Sequence, residues 1–147
     1  MRKIALLILL VIVLFSCISA FATAQMGDKL VLDGKDYFIY TNPLEIYLEK
    51  HPGLLPKSTV VSTANWRGYV ASWTVKDDRL LLTDVQIQQA KKTVKKDDFE
   101  TEWVSVMAKM FPDQKEVVAD WFRGNIIVPN GKQVHYVHMG YASTYEK

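Results

Sequence analysis

Apolar and polar positions divide the 147-residue chain into two unequal parts. Ile4 to Phe15 is an unbroken apolar run of twelve residues, with Arg2 and Lys3 before it and Ala20, Ala22 and Ala24 after it. As a helix this run spans roughly 18 Å at 1.5 Å per residue, too short for a hydrocarbon core of about 30 Å. A basic start, a short apolar stretch and alternating small residues predict a signal peptide over residues 1–24, cut between Ala24 and Gln25. Leu14-Phe15-Ser16-Cys17 offers a second reading, a lipoprotein signal that ends before Cys17 and leaves that cysteine lipidated. An uncleaved anchor is the third.

After Ala24 the pattern breaks into short segments. Leu30-Val31-Leu32 and Tyr37 to Tyr40 flank Asp33-Gly34, which predicts a hairpin. Asn42-Pro43-Leu44-Glu45 predicts a helix start, with Asn42 as cap, Pro43 in the first position and Glu45 completing a capping box; His51-Pro52-Gly53 ends it about two turns later. Leu54 to Asn65 reads as a loop. Arg67 to Lys76 and Arg79 to Gln88, rich in Val, Leu, Ile, Tyr, Trp and Thr, read as two long central strands joined at Asp77-Asp78. Lys91 to Lys96 reads as a solvated connection.

Asp97 to Phe111 reads as the main helix. Asp97 caps it, Glu100 follows three residues on, and Phe99, Trp103, Met107 and Phe111 recur every four residues as a core-facing stripe. Val117 to Val128 and Lys132 to Met139 read as a final hairpin turning at Asn130-Gly131. The expected fold is α+β: an antiparallel β meander or half-barrel of about six strands with one main helix packed on it, all in a single domain over residues 25–147.

Composition changes the picture in two respects. The only cysteine, Cys17, lies in the export segment, so the chain after Ala24 has no disulfide framework. Arg2 and Lys3 are the only charged residues before Gln25, so 16 bases face 16 acids beyond it. Such a balance lacks the concentrated basic surface that nucleic acid requires.

Strand alternation singles out two groups of candidate binding residues. In the last hairpin, Arg123 would face His138 and Asn125 would face Tyr136, so Trp121, Arg123, Asn125, Tyr136 and His138 share one face. Phe122, Gly124, Ile126, Val128, Val137 and Met139 share the other, the core side. A planar guanidinium with amide, phenol and aromatic neighbours suits an anionic or sugar-like group. The same face also suits plain contact with water. On the first central strand, Arg67, Tyr69 and Trp73 project together, either lining a cavity with Arg67 at its mouth or filling a core. His135 and His138 form H-x-x-H, but residues three apart on a strand face opposite ways, so no metal site is expected. No Walker loop, nucleophile elbow, H-E-x-x-H or dinucleotide fingerprint occurs, and nothing calls for a cofactor.

Asn65-Trp66-Arg67-Gly68-Tyr69-Val70-Ala71-Ser72-Trp73, Asp78 to Asp84, Ala119 to Gly124 and His138-Met139-Gly140-Tyr141-Ala142-Ser143-Thr144-Tyr145-Glu146 together carry a resemblance. The chain resembles a group of uncharacterised small exported bacterial proteins with W-R-G-Y-x-A-x-W and H-x-G-Y-x-S-x-Y-E motifs. The resemblance covers most of the chain after residue 24 and implies no activity, substrate or cofactor, since none attaches to the group. Members continue past the Tyr-Glu pair, whereas this chain stops at Lys147, so an open sheet edge able to pair with another chain is expected.

The expected function is a non-catalytic binding module of the cell envelope, periplasmic or secreted, or alternatively a membrane-anchored lipoprotein. Its partner would be a small ligand or an envelope protein, with no nucleic acid and with membrane contact only through a signal or lipid anchor. Two other classes stay open. One is an envelope glycan-acting enzyme drawing acid/base groups from Tyr136 to Glu146. The other is an inhibitor- or immunity-like protein, whose sign is an exposed apolar patch rimmed by charge.

Overall fold

Two tight turns with left-handed backbone set up the sheet. Asp33 (φ 51°) and Gly34 (φ 72°) join β1 (Asp28–Leu32) to β2 (Lys35–Ile39), and Asp77 (φ 49°) and Asp78 (φ 57°) join β3 (Tyr69–Lys76) to β4 (Arg79–Ala90). Consecutive positive φ angles match the right-handed twist of paired strands, which is why such turns close two-residue hairpins. Both were legible as Asp-Gly and Asp-Asp. This computed structural model describes residues 23–91, 100–129, 131, 133–135, 141 and 144–145.

The main sheet is six-stranded, open and mostly antiparallel, in the order β2-β1-β3-β4-β5, with β6 (Val117–Val118) also paired to β4. Between β2 and β3 the chain forms α1 (Pro43–Lys50) and a long loop. That excursion lets β3 return beside β1 in parallel, with Leu30 opposite Trp73. The order is therefore not that of a simple meander.

A register shift between Ser72 and Trp73 decides which way β4 faces. Ser72 pairs with Asp84 and Trp73 with Leu82, so Thr83 is the extra residue of a β-bulge, and its hydroxyl donates to the Ser72 carbonyl at 3.1 Å. Strict alternation would place Leu82 and Asp84 on one face. The bulge resets the phase, and Leu82, Val85 and Ile87 are all fully buried. They join Leu30, Ile39, Tyr69, Ala71 and Trp73 on the inner face, under Leu44 of α1 and the segment Val106 to Phe111.

Two expected elements differ. Asp97 to Phe111 is not one helix: Thr101–Ser105 is strand β5, and only Met107–Met110 forms a helical turn, α2. The twelve-residue β4 runs on to Ala90, and β5 pairs along it from Gln86↔Ser105 to Ala90↔Thr101. A ladder with β-favouring Thr101, Trp103 and Val104 outcompetes helix formation there. Met107 and Phe111 still turn inward, but Trp103 goes to the opposite face and is 38% exposed. Phe99 and residues 92–98 lie outside the described residues.

The hairpin expected over residues 117–139 also differs. After β6 pairs with Leu81 and Leu82, the chain turns at Ala119 to Phe122 and runs as irregular backbone. It meets the end of β2 through Tyr40 N–H to the Ile127 carbonyl, 2.9 Å. Trp121, Phe122, Ile126 and Val128 each pack on the core, so burial takes these side chains without a strand partner. β7 (Gln133–His135) pairs instead with β8 (Thr144–Tyr145) in a separate two-stranded sheet.

Asp78 tests the turn chemistry. Its left-handed backbone strains any residue with a Cβ by about 1 kcal/mol. Asp78→Gly is expected to raise the unfolding free energy by up to about that amount, less the entropy glycine costs the folded chain, measured by urea denaturation. A loss of more than about 1 kcal/mol would show that the Asp78 side chain supports the fold in its own right.

Candidate functional site

On the inner face the sheet buries a carboxylate. Asp28, at the start of β1, has no exposed surface. Its Oδ1 accepts from the Arg67 guanidinium at 2.8 Å and from the Ala71 backbone N–H at 3.2 Å, and its Oδ2 accepts from the Trp73 indole at 3.0 Å. Burial raises the Asp28 pKa above 3.8, and the Arg67 charge with the Trp73, Arg67 and Ala71 hydrogen bonds opposes that rise. Burial of Arg67 disfavours its charge most, but the Asp28 charge, Tyr69, the Asp28 hydrogen bond and Tyr141 together hold its pKa above the usual value.

The Arg67 guanidinium also lies 4.8 Å from the Tyr69 ring centroid, a cation–π contact. Burial first, and the Asp28 charge second, push the Tyr69 hydroxyl well above its ordinary pKa. It is therefore a neutral donor, and it donates to Glu45 Oε2 at 3.0 Å. Glu45 is thus drawn toward the sheet, and no side chain caps α1, contrary to the expected capping box. Asn42 is engaged elsewhere: its Oδ1 lies 3.1 Å from the Tyr141 hydroxyl.

Two distant motif segments converge on one carbonyl. The Met26 carbonyl accepts from Arg67 Nη2 at 2.8 Å and lies 3.0 Å from the Tyr141 hydroxyl. Tyr141 stacks on Tyr40 at 4.7 Å between centroids and 10° between planes. Gly27 permits this approach, since a Cβ there would sit 2.7 Å from the Ile39 carbonyl and 3.3 Å from the Tyr40 ring.

The outer face of the same sheet carries a groove of about 360 Å³ lined by Met26, Gly27, Lys29, Phe38, Val70, Gln86 and Trp103. Cross-strand pairs build it, Lys29 opposite Phe38 on β1 and β2, and Val70 opposite Gln86 on β3 and β4. Phe38 is 60% and Met26 43% exposed, and they form a rim with Trp103. Val70, at 6% exposure, is the floor. Lys29 is exposed and has no side-chain ion pair among the described residues.

The candidate residues read from sequence are dispersed. Arg67, Tyr69 and Trp73 do come together, but around buried Asp28; Tyr69 and Trp73 are 1% and 0% exposed, and they belong to the core rather than to an open cavity. Trp121 turns inward, its indole donating to the Pro43 carbonyl at 2.9 Å and its ring lying 4.5 Å from Tyr47. Arg123 and Asn125 are exposed on irregular backbone. Arg123 lines a second, more polar groove of about 430 Å³ with Asp78, Arg79 and Asp120, where Arg79 pairs with Asp120 at 3.2 Å. Tyr136, His138 and Cys17 lie outside the described residues, as does residue 138 of the H-x-x-H pair. The shared face proposed for Trp121, Arg123 and Asn125 is not formed, because these residues are not on a strand.

The outer groove was not anticipated. Its signals were present, in Phe38 beside inward Ile39 and in Val70 beside inward Tyr69 and Ala71. Trp103 was hidden by its fit to a helical stripe. No family model matches the chain, and neither does any curated protein or solved structure.

Asp28→Asn removes the charge that Arg67 faces and sets an amide against three donors. The amide nitrogen cannot accept, so a buried donor is left unsatisfied, and the unfolding free energy is expected to fall by about 1–3 kcal/mol at neutral pH, measured with urea. The pH dependence has a definite sign. A folded pKa above the ordinary 3.8 means the folded state holds this proton more tightly than the unfolded state. The contribution of Asp28 is then greatest below pH 3.8 and declines as pH rises through the folded value. The stability gap between parent and variant should narrow over that interval, and a gap that widens with pH refutes the raised pKa.

Proposed function

We propose that the chain is an exported, non-catalytic binding module of the bacterial cell envelope, and that its ligand sits in the outer-face groove. The observation that carries this reading is the pair of large aromatic side chains, Phe38 and Trp103, exposed on opposite sides of a buried apolar floor at Val70. Exposed aromatic surface gathered around a concavity is uncommon on a protein surface that has no ligand or partner. The groove's volume is at the low end for small-molecule sites, which supports a ligand of modest size.

Export rests on residues 1–24, with processing after Ala24, or before Cys17 if the chain is lipidated. The α+β class rests on the open sheet with α1 against its inner face. A second reading has the same patch covered by a protein, as in an inhibitor- or immunity-like role. Exposed apolar surface beside Lys29 favours that reading to the extent that it was the sign expected of such proteins. Groove depth favours the small ligand, because Val70 is beneath the surface a flat partner would touch.

Two measurements test the proposal. Intact mass of the protein recovered from the envelope of expressing bacteria should match a chain beginning at Gln25; lipid mass added at Cys17 would assign the anchored form, and recovery from the cytoplasm with residue 1 intact would refute export. A thermal-shift screen of envelope-derived small molecules should give hits whose effect on the parent is lost in Phe38→Ser and Trp103→Ser. Hits that stabilise all three alike, or that are consumed during incubation, would refute a non-catalytic groove.

A further inference from the structure

The shape and charge of the outer groove narrow its ligand, granted the reading above. The lining residues come from all five strands of the main path, from Phe38 on β2 to Trp103 on β5. Four inter-strand steps of about 4.8 Å give a length of roughly 19 Å across the sheet. A peptide laid across these strands would find only Lys29 and Gln86 in the lining to pair with its backbone N–H and C=O groups, whereas a polymethylene chain asks for no such partner.

Polarity is concentrated at two lining side chains. Lys29 is the one charged residue of the lining, and Gln86 supplies an amide. Asp84, opposite Ser72 and near the Lys29 position, directs its Oδ1 to the Val85 N–H at 2.9 Å and to the Ser105 hydroxyl rather than to Lys29. Lys29 itself makes no ion pair among the described residues, so its ammonium is open to the charge of a ligand. A single lysine matches a single negative charge. A membrane surface, by contrast, is held by clusters of bases, each adding about 1 kcal/mol.

We infer that the groove binds a free single-chain anionic amphiphile, a long-chain carboxylate, with its tail laid across the sheet between Phe38 and Trp103 and its headgroup at Lys29. The tail covers Met26, Phe38, Val70 and Trp103, and the carboxylate takes the Lys29 ammonium and the Gln86 amide. Burial of the chain supplies most of the affinity, at about 0.8 kcal/mol for each methylene removed from water. The lysine supplies selectivity for sign.

The test uses protein expressed from residue 1 and purified as the cell processes it. Calorimetry compares dodecanoate and dodecyltrimethylammonium, each below its micellar concentration, and dodecanol, below its solubility limit, with anionic phospholipid vesicles as a fourth arm. The parent should bind dodecanoate best. Lys29→Glu should weaken dodecanoate about fivefold, the scale of one exposed attraction replaced by a repulsion, and should strengthen the cationic amphiphile. Phe38→Ser, at an exposed position, should weaken all three amphiphiles alike. Equal binding of dodecanoate and dodecanol, unmoved by Lys29→Glu, overturns the carboxylate while leaving a groove for apolar ligands. Binding of no amphiphile, or binding insensitive to Phe38→Ser, overturns both the carboxylate and the groove. Binding to vesicles but not to free dodecanoate, or a concentration-dependent dimer that Phe38→Ser dissolves, assigns the face to a membrane or to a second copy and refutes the inference.

Discussion

A carboxylate with no access to water has to find its donors inside the protein, and Asp28 finds them in three places. One is a guanidinium from the loop before β3, one is the backbone of β3 and one is the indole of Trp73. Desolvating such a group costs several kcal/mol, and these donors offset part of it. A shift of β1 along β3 would separate the carboxylate from Ala71 and Trp73 together. Apolar pairs such as Leu30 and Trp73 tolerate many registers, whereas the Asp28 arrangement tolerates one. The parallel β1–β3 pairing, on which the strand order depends, is thus specified by a polar contact within an apolar core.

That contact also links the two faces of the sheet. Arg67, held by Asp28, turns its second nitrogen to the Met26 carbonyl, where the Tyr141 hydroxyl also lies. The backbone of Met26 is therefore fixed from the inner side while its side chain forms part of the outer groove. Gly27 keeps the chain against Ile39 and Tyr40, a separation no other residue permits. The rim of the groove is a consequence of the network beneath it, which gives a buried ion pair and a surface concavity a common structural cause.

The sheet carries large apolar side chains on both faces, but for different reasons. Its inner face meets α1, α2 and the segment after β6, and it closes a core. Its outer face gathers Phe38, Val70 and Trp103 from strands far apart in the chain, and among the described residues only Val70 is covered. Stability alone would favour polar residues at the rim, where exposed aromatic rings contribute little to folding. Together with Lys29 they line one concavity.

Local chemistry was legible wherever neighbours in sequence decide the outcome. Asp33-Gly34 and Asp77-Asp78 declared their turns, Pro43 declared the start of α1, and the density of Val, Leu and Trp declared β3 and β4 as the central strands. What depended on distant partners was not. Phe99, Trp103, Met107 and Phe111 have helical spacing, and only the unpaired length of β4 draws Thr101 to Ser105 into a strand. Val117 to Val128 alternates like a strand, yet it is the core, not a ladder, that receives Trp121, Phe122 and Ile126. Arg67, Tyr69 and Trp73 were correctly grouped on one face, but the partner that gives them their role, Asp28, lies about forty residues away and carries no local mark. The groove required both the parallel return of β3 and the bulge at Thr83. Sequence by itself determined turns, strand propensity and the side chains available; the tertiary structure alone decided pairing, phase and face, because each is fixed by contacts whose cost or gain appears only once remote segments meet.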